Sequence, residues 1–410
     1  MQLVEQHLIR RSDPRYGAID QAAFASKNLY NQATYQIRQA YLHEGRYLSY
    51  AEIFHRVKHL DCYQALPRKV SNSILIVIDQ NWRSFQAALT EWKQHPEKFT
   101  GRPNLPGYKH KEKGRNILIY DIQAIGKRAY KKTGKLVPSR LGIAIETKVA
   151  WETIDCVRIV PRGSCYVVEV VYRKESKQAA VDPGLAAALD LGVNVLAAVT
   201  STKKGFTPLL INGRPLKSIN QGYNKRRAHL QARLAKAPTK RFTSRQLDGL
   251  TMKRNRRVNA YLHTASRRLI DHLVQEGIGT LIIGKNRFWK QEVEMGKKNN
   301  QQFVQIPHAR FIDMLTYKAQ LVGITVQVTE ESYTSKASFL DLDEIPTYCL
   351  EQQGKYQFSG KRSGRWYRAK SGRRIHADIN GSYNTLRKVI PTAFELGIEG
   401  FAVIPRPLAV

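Results

Sequence analysis

Acidic residues are scarce in this chain, and paired cysteines are missing. Asp and Glu number 33 against 67 Lys and Arg over 410 residues, a net charge of +34. A surplus of that size is tolerated mainly when a polyanion neutralises it, so nucleic acid is the expected partner. Cys62, Cys156, Cys165 and Cys349 are the only cysteines, with no C-x-x-C pair among them. That argues against a disulfide framework and a thiolate zinc site, and predicts free thiols. No apolar run approaches the roughly twenty residues of a membrane span. Met1–Arg10 carries Glu5, His7 and Arg10 where a signal peptide would be apolar. The expectation is a soluble chain of the cytoplasm, with no membrane partner. No internal repeat or long low-complexity tract is visible.

What is present is enough apolar material, 42% of residues, for real cores, and a length that suggests two or three domains. Ala22, Ala25, Leu29, Ala33, Ile37 and Ala40 share one helical face. A second helix starts after Pro67, runs through Val70, Ile74, Ile78, Phe85 and Leu89, and stops before Pro96. Thr100–Lys113 is rich in Pro, Gly and Lys and reads as a linker or a loop laid along a charged ligand. Ile117–Tyr120, Gly142–Glu146, Cys156–Val160 and Tyr166–Tyr172 are short β-type runs, the last two joined through Pro161–Ser164 as a hairpin. With a strand near Leu3–Ile9 they would form a compact β-barrel or sandwich, and the helices would be an insertion in it.

From Leu185 the rhythm changes. Three strands (Leu185–Asp190, Val195–Thr200, Phe206–Ile211) precede a long basic helical region reaching about Gln275, which Gly277 and Gly279 stop. A strand at Thr280–Ile283, a helix carrying Phe311, Ile312 and Leu315, and a strand at Ile324–Thr329 follow. An irregular segment, Ser332–Arg374, leads to a last helix opened by Ala377-Asp378. This order matches an α/β, RNase H-like arrangement with sheet order 3-2-1-4-5, which gathers acids at strand ends around divalent metal. Hydrolysis of a phosphodiester needs an activated water and a stabilised leaving oxygen, which two Mg²⁺ ions about 4 Å apart supply. Asp190 follows an apolar run that does not explain an acid there; the bland alternative is a turn before Gly192. Asp378 is the second candidate, with helix N-capping as its alternative.

Several strings stand in order: ALDLGVNVLAAVTS around Asp190, NRFWKQEVEMGKKNNQQFVQIPHARFIDML at 286–315, EESYTSKASFLD at 330–341 and HADINGSYNTLRK at 376–388. Together they resemble TnpB, the transposon-encoded RNA-guided endonucleases ancestral to type V CRISPR effectors. KNLYNQATY at 27–35, the helix start at Leu66-Pro67, GRPNLPGYK at 101–109 and VRIVPRGSCYVVEVVY at 157–172 extend the resemblance over nearly the whole chain. It implies a RuvC-type nuclease with three acids, of which Asp190 and Asp378 match the first and third. The usual second acid is replaced by Gly284. Strands four and five are parallel neighbours roughly 5 Å apart, so an acid leaving strand five can reach the same point. Glu331 is favoured, with Glu330 as the alternative because alternation sends the two to opposite faces. A solvated acidic pair is the bland reading, and Glu292 and Glu294 are weaker candidates.

The resemblance further implies Mg²⁺ or Mn²⁺ as cofactor, a guide RNA, double-stranded and single-stranded target DNA, and a prokaryotic, nucleoid-associated monomer. Residues 1–15 and 100–176 would be the β-barrel module and 16–99 its helical recognition insertion. The nuclease core would comprise 183–331 and 375–392, and 393–410 a tail. Many relatives carry a zinc ribbon at 332–374; here Ser338-Phe339-Leu340-Asp341 stands at its first C-x-x-C, so a metal-free insertion held by Phe339, Leu340, Tyr348, Trp366 and Tyr367 is expected. Its Lys361, Arg362, Arg365, Arg368, Arg373 and Arg374 are placed to contact nucleic acid near the active site, with a mobile surface loop as the alternative, while Lys225, Arg226, Arg227, Lys253, Arg254, Arg256 and Arg257 suit phosphate contacts to an A-form heteroduplex. Tyr30, Tyr35, Tyr108 and Trp289 offer stacking, with core packing as the alternative. The competing functions are a nuclease-inactive RNA-guided repressor and a DNA transposase.

Overall fold

The computed structural model describes residues 1–236, 242–286, 296–348 and 356–410, divided into two units, Met1–Lys174 and Glu175–Val410. The first unit runs β1 (Gln2–Arg10), α1 (Tyr16–His43), α2 (Tyr50–Val57), α3 (Asp61–Gln64), α4 (Arg68–Gln94), β2 (Leu118–Asp121), α5 (Lys127–Thr133), β3 (Lys135–Leu136), β4 (Ile145–Glu146), β5 (Ile154–Arg162) and β6 (Cys165–Arg173). β5 and β6 turn on Gly163-Ser164, with Gly163 at φ 56, a conformation glycine adopts without a Cβ penalty. The short α2 is announced by a capping box in which Ser49 and Glu52 satisfy each other's backbone N–H.

The expected barrel is not closed. Its strands form an open antiparallel sheet in the order β1-β6-β5-β2, and β3 and β4 pair apart from it. β2 is only four residues long and ends in a turn capped by Asp121, so it stays an edge. α1 and α4 share a core with the sheet, with Ile19, Ala33, Ile74 and Trp82 buried alongside Ile9, Val157 and Val168. Nor is the loop after residue 100 a free linker. Lys27, Asn31 and Arg38, on α1, donate to the carbonyls of Lys111, Lys109 and Pro106, which leaves residues 107–113 pinned yet exposed.

The second unit runs β7 (Asp182–Leu191), β8 (Val195–Ser201), β9 (Leu209–Asn212), α6 (Arg214–Ala235), α7 (Arg245–Gln275), β10 (Ile278–Gly284), α8 (Lys297–Gln305), α9 (His308–Gln320), β11 (Thr325–Thr329), β12 (Lys361–Ser363), β13 (Trp366–Arg368), β14 (Arg374–His376), α10 (Ala377–Val389) and β15 (Arg406–Leu408). The main sheet has the order β11-β10-β7-β8-β9-β15. Read from β9, its first five strands are 3-2-1-4-5. The presumed C-terminal tail adds the sixth strand by pairing parallel to β9. Ala187, Leu189, Leu281 and Ile283 face α7 and α9. Ala186, Ala188 and Ile282 face α10. This is the period-two alternation of strands covered on both sides. No described helix is long and apolar enough to cross a membrane, and among the described residues Cys62 and Cys156 are free.

Only Gly277, at φ 72, ends α7; Gly279 lies inside β10, where a β-carbon would come within 2.5 Å of the Asp182 carbonyl oxygen. Gly279→Ala should therefore destabilise the second unit by about 1–3 kcal/mol through forced separation of β10 from β7. Urea denaturation measures this, and a loss below about 0.5 kcal/mol would mean that the strands are free to part there.

Candidate active site

The alternation of β7 places Asp190 on the same face as Ala186 and Ala188, and the small alanines let α10 lie close. The Ser382 hydroxyl donates to the Ala188 carbonyl at 2.9 Å. A β-carbon on Gly381 would lie 2.6 Å from Asp190 Oδ2. Asp190 pairs with Ala198 within the sheet and is not a turn residue. Burial, then the negative charges of Glu331 and Asp378, push its carboxyl well above the usual aspartate range, opposed by Arg362.

Ile283 of β10 is level with Leu189 of β7, so Gly284 is level with Asp190 on the α10 face. No side chain extends from Gly284, and Glu331 fills the space. A β-carbon at position 284 would stand 2.5 Å from Glu331 Oε2 and 3.1 Å from its Cβ. The backbone N–H of Glu331 donates to Asn286 Oδ1 at 2.9 Å, which fixes the residue where the chain leaves β11. Its Oε2 is sealed from water with no hydrogen-bond partner. Burial, assisted by Glu330 and opposed by Lys388, pushes this carboxyl up to about 7.

Glu330 turns elsewhere. It accepts from Lys388 and from the Ser332 N–H, and these hold it below the usual glutamate range although burial alone would raise it. Asp378 is the second residue of α10, and the cap is His376, whose ring nitrogen accepts from the Asp378 N–H at 3.3 Å. The Asp378 carboxylate is thus free of capping and receives Arg362 Nη2 at 3.0 Å from β12. Among the described residues no three His, Cys, Asp or Glu side chains form a ready-made metal-ligand set. Three like charges repel, and Arg362 holds one of them. The donor chemistry nevertheless fits a hard divalent cation: carboxylate oxygens only, one buried without a partner and one under the charge of two neighbours.

Two family models match the chain. The OrfB family of probable transposases (OrfB_IS605) covers residues 169–289, with Asp190 and Gly284, and the Cas12f1-like TNB domain covers 308–385, with Glu331 and Asp378. A TnpB-like protein, ORF457 of Acidianus two-tailed virus, is 24% identical over 412 residues, 89% of this chain and 82% of the relative. By these matches the chain is similar to the TnpB family. A chain of a Cas12f1–sgRNA–target DNA complex has a similar fold, with a TM-score of 0.53 at 14% identity over 90% of this chain and 81% of that one.

Other residues singled out in the sequence differ in their surroundings. Lys225, Arg226, Arg227, Lys253, Arg256 and Arg257 are exposed on α6 and α7. Arg254 is not: it is half-buried and donates to Asn220 Oδ1 and to the Gln305 carbonyl, bracing α6, α7 and α8 together. Trp289, Glu292, Glu294 and Cys349 lie outside the described residues. In the insertion Phe339 and Tyr367 are buried and Leu340 is partly buried, whereas Tyr348 and Trp366 are 48% and 44% exposed and hold nothing in the core. Of the tyrosines, Tyr30 is buried and Tyr35 and Tyr108 are exposed. Sequence reading missed Asn286 and the direct approach of Arg362 to Asp378, neither of which has a local signal.

Glu331 titrates near 7 when folded and near 4.3 when unfolded. Between those values the folded chain keeps a proton that the unfolded chain has lost. Its stability contribution is therefore full below about pH 4 and declines as pH rises through 7. Without divalent metal, Glu331→Gln should be more stable than the parent by about 1–3 kcal/mol at pH 8 and nearly equal to it at pH 4.5. Urea denaturation at both values measures the difference; the same gap at each would mean that the carboxylate is hydrated.

Proposed function

We propose that this chain is an RNA-guided, divalent-metal-dependent DNA endonuclease whose scissile centre is Asp190, Glu331 and Asp378. The supporting observation is the exchange at one point of the sheet: the side chain missing at Gly284 is replaced in space by the Glu331 carboxylate, level with Asp190. Bound Mg²⁺ or Mn²⁺ would supply an activated water and stabilise the leaving oxygen. The three carboxylates would hold the metal. Arg362 would meet the phosphate beside Asp378, and the low-dielectric floor under α10 would strengthen both interactions. Guide pairing would read sequence, and the exposed cations of α6, α7 and β12–β14 would hold phosphates. Similarity to the TnpB family and the fold shared with a chain of a Cas12f1–sgRNA–target DNA complex favour guide RNA and target DNA as partners.

A nuclease-inactive, RNA-guided DNA-binding protein is the second reading, favoured by the Arg362–Asp378 ion pair and by the lack of a closed ligand set among the described residues. Incubating the purified ribonucleoprotein with target plasmid and Mg²⁺ separates the two. Cleavage should occur, and Asp190→Ala, Asp378→Ala or Glu331→Ala should each abolish it while co-purified RNA stays bound. Adding Gly284→Glu to Glu331→Ala should restore part of the cutting. Undiminished cleavage by Glu331→Ala removes that residue from the centre, and a parent that binds target without cutting establishes the second reading.

A further inference from the structure

The insertion carries a turn whose hydrogen bonding differs in kind from a metal knuckle. Ser338 and Asp341 stand where the resemblance places the first cysteine pair, and both side chains are already engaged. Asp341 Oδ2 accepts from the Ser338 hydroxyl at 2.6 Å and from the backbone N–H of Lys370, 29 residues on, at 2.9 Å. Asp343 Oδ2 accepts from the backbone N–H groups of Ser338 at 2.8 Å and Ser359 at 3.0 Å, and its Oδ1 accepts from the Ser359 hydroxyl. Two carboxylates therefore tie three distant points of the chain. Leu342 between them sits at φ 52, a left-handed conformation that a leucine keeps only when its surroundings impose it.

We infer that Asp341 and Asp343 close this insertion as a hydrogen-bonded staple that does the work of a structural metal, so that the fold around Asp378 is independent of zinc and of thiol chemistry. The electrostatics oppose a cation there. Asp343 is surrounded by N–H and O–H donors, and a metal ion would have to displace them, leaving the N–H of buried Ser338 unpaired. The staple also has a purpose near the acids. Its turn is bonded to α10, with the Phe339 N–H donating to Asn380 Oδ1 at 2.9 Å and the Asn380 side chain donating to the Ala337 carbonyl at 2.7 Å. Lys370 follows β13, so the bond from Asp341 fixes the small sheet that carries Arg362 to Asp378. This inference stands whether or not the protein cuts DNA.

The test uses the full-length protein purified in chelator. Its zinc content, measured by plasma mass spectrometry, should be far below stoichiometric. Deuterium exchange of peptides covering 338–343 and 359–370 should be slow and unchanged by a zinc-selective chelator. Asp343→Ala and, separately, Asp341→Ala should accelerate exchange in those peptides by about tenfold or more, with β7 and β10 still protected. Stoichiometric zinc whose removal loosens the same peptides would overturn the inference, as would unchanged exchange in both variants. If either alanine variant unfolds the whole unit, the chelator comparison on the parent decides alone, because fast exchange in metal-free parent protein contradicts the staple directly.

Discussion

The acidic centre depends on how near α10 can come to β7. Alanines at 186 and 188 and the absence of a side chain at Gly381 remove the atoms that would hold helix and strand apart, and Ser382 bonds straight to the strand backbone. That approach has two effects that cannot be separated. It brings Asp378 to Asp190, and it strips water from Asp190, so the carboxyl is made reluctant to ionise by the packing that gives it neighbours. Either a retained proton or a nearby positive charge offsets the burial and the mutual repulsion. In the structure that role falls in part to Arg362.

Moving an acid from one strand to its neighbour is possible because parallel strands end together. Gly284 and Thr329 are paired, and the chain beyond Thr329 turns back over the position that Gly284 leaves open. The exchange has a structural consequence. An acid at the end of β10 would be held by the sheet ladder, whereas Glu331 lies beyond the last paired residue of β11 and has its backbone anchored by Asn286 at the N–H and by Thr334 at the carbonyl. The orientation of the second acid thus rests on two side-chain hydrogen bonds as well as on the sheet.

Periodicity carried much of this fold. The α1 and α4 helices and the β5–β6 hairpin could be read from apolar spacing and turn residues, because burial on one face leaves a regular mark, whereas the 3-2-1-4-5 order followed from likening the succession of elements to an RNase H-like arrangement. The Ser49-x-x-Glu52 box is a local sign of the start of α2. Barrel closure was not legible, since it depends on edge pairing between strands distant in sequence. Trp366 illustrates the opposite error: an aromatic in a short irregular segment looks like core, yet two-residue alternation puts it outward while Tyr367 turns in. Arg254 looked like one more phosphate ligand in a basic run, and only tertiary structure shows it bound to Asn220 and Gln305. At the acids, Asp190 could be singled out as an acid that packing does not explain; Glu331 could be proposed only after Gly284 was seen to lack one.

The distribution of charge explains how an acidic centre can coexist with a polyanionic partner. Across the small sheet Lys361, Arg368 and Arg374 stand directly opposite one another, all exposed, without an ion pair to any described residue. Like charges in register on neighbouring strands are destabilising by themselves. A polyanion lying over them would relieve that repulsion, and His376 at the end of the same sheet leads within two residues to Asp378. Phosphates would then be drawn by the cationic row to the edge of a site whose own charge repels them. Attraction at the rim and repulsion at the floor together favour a strand that reaches the acids only when compensating positive charge is already there, which makes Arg362, bonded to Asp378 and rooted in the same sheet, the residue through which the two fields meet.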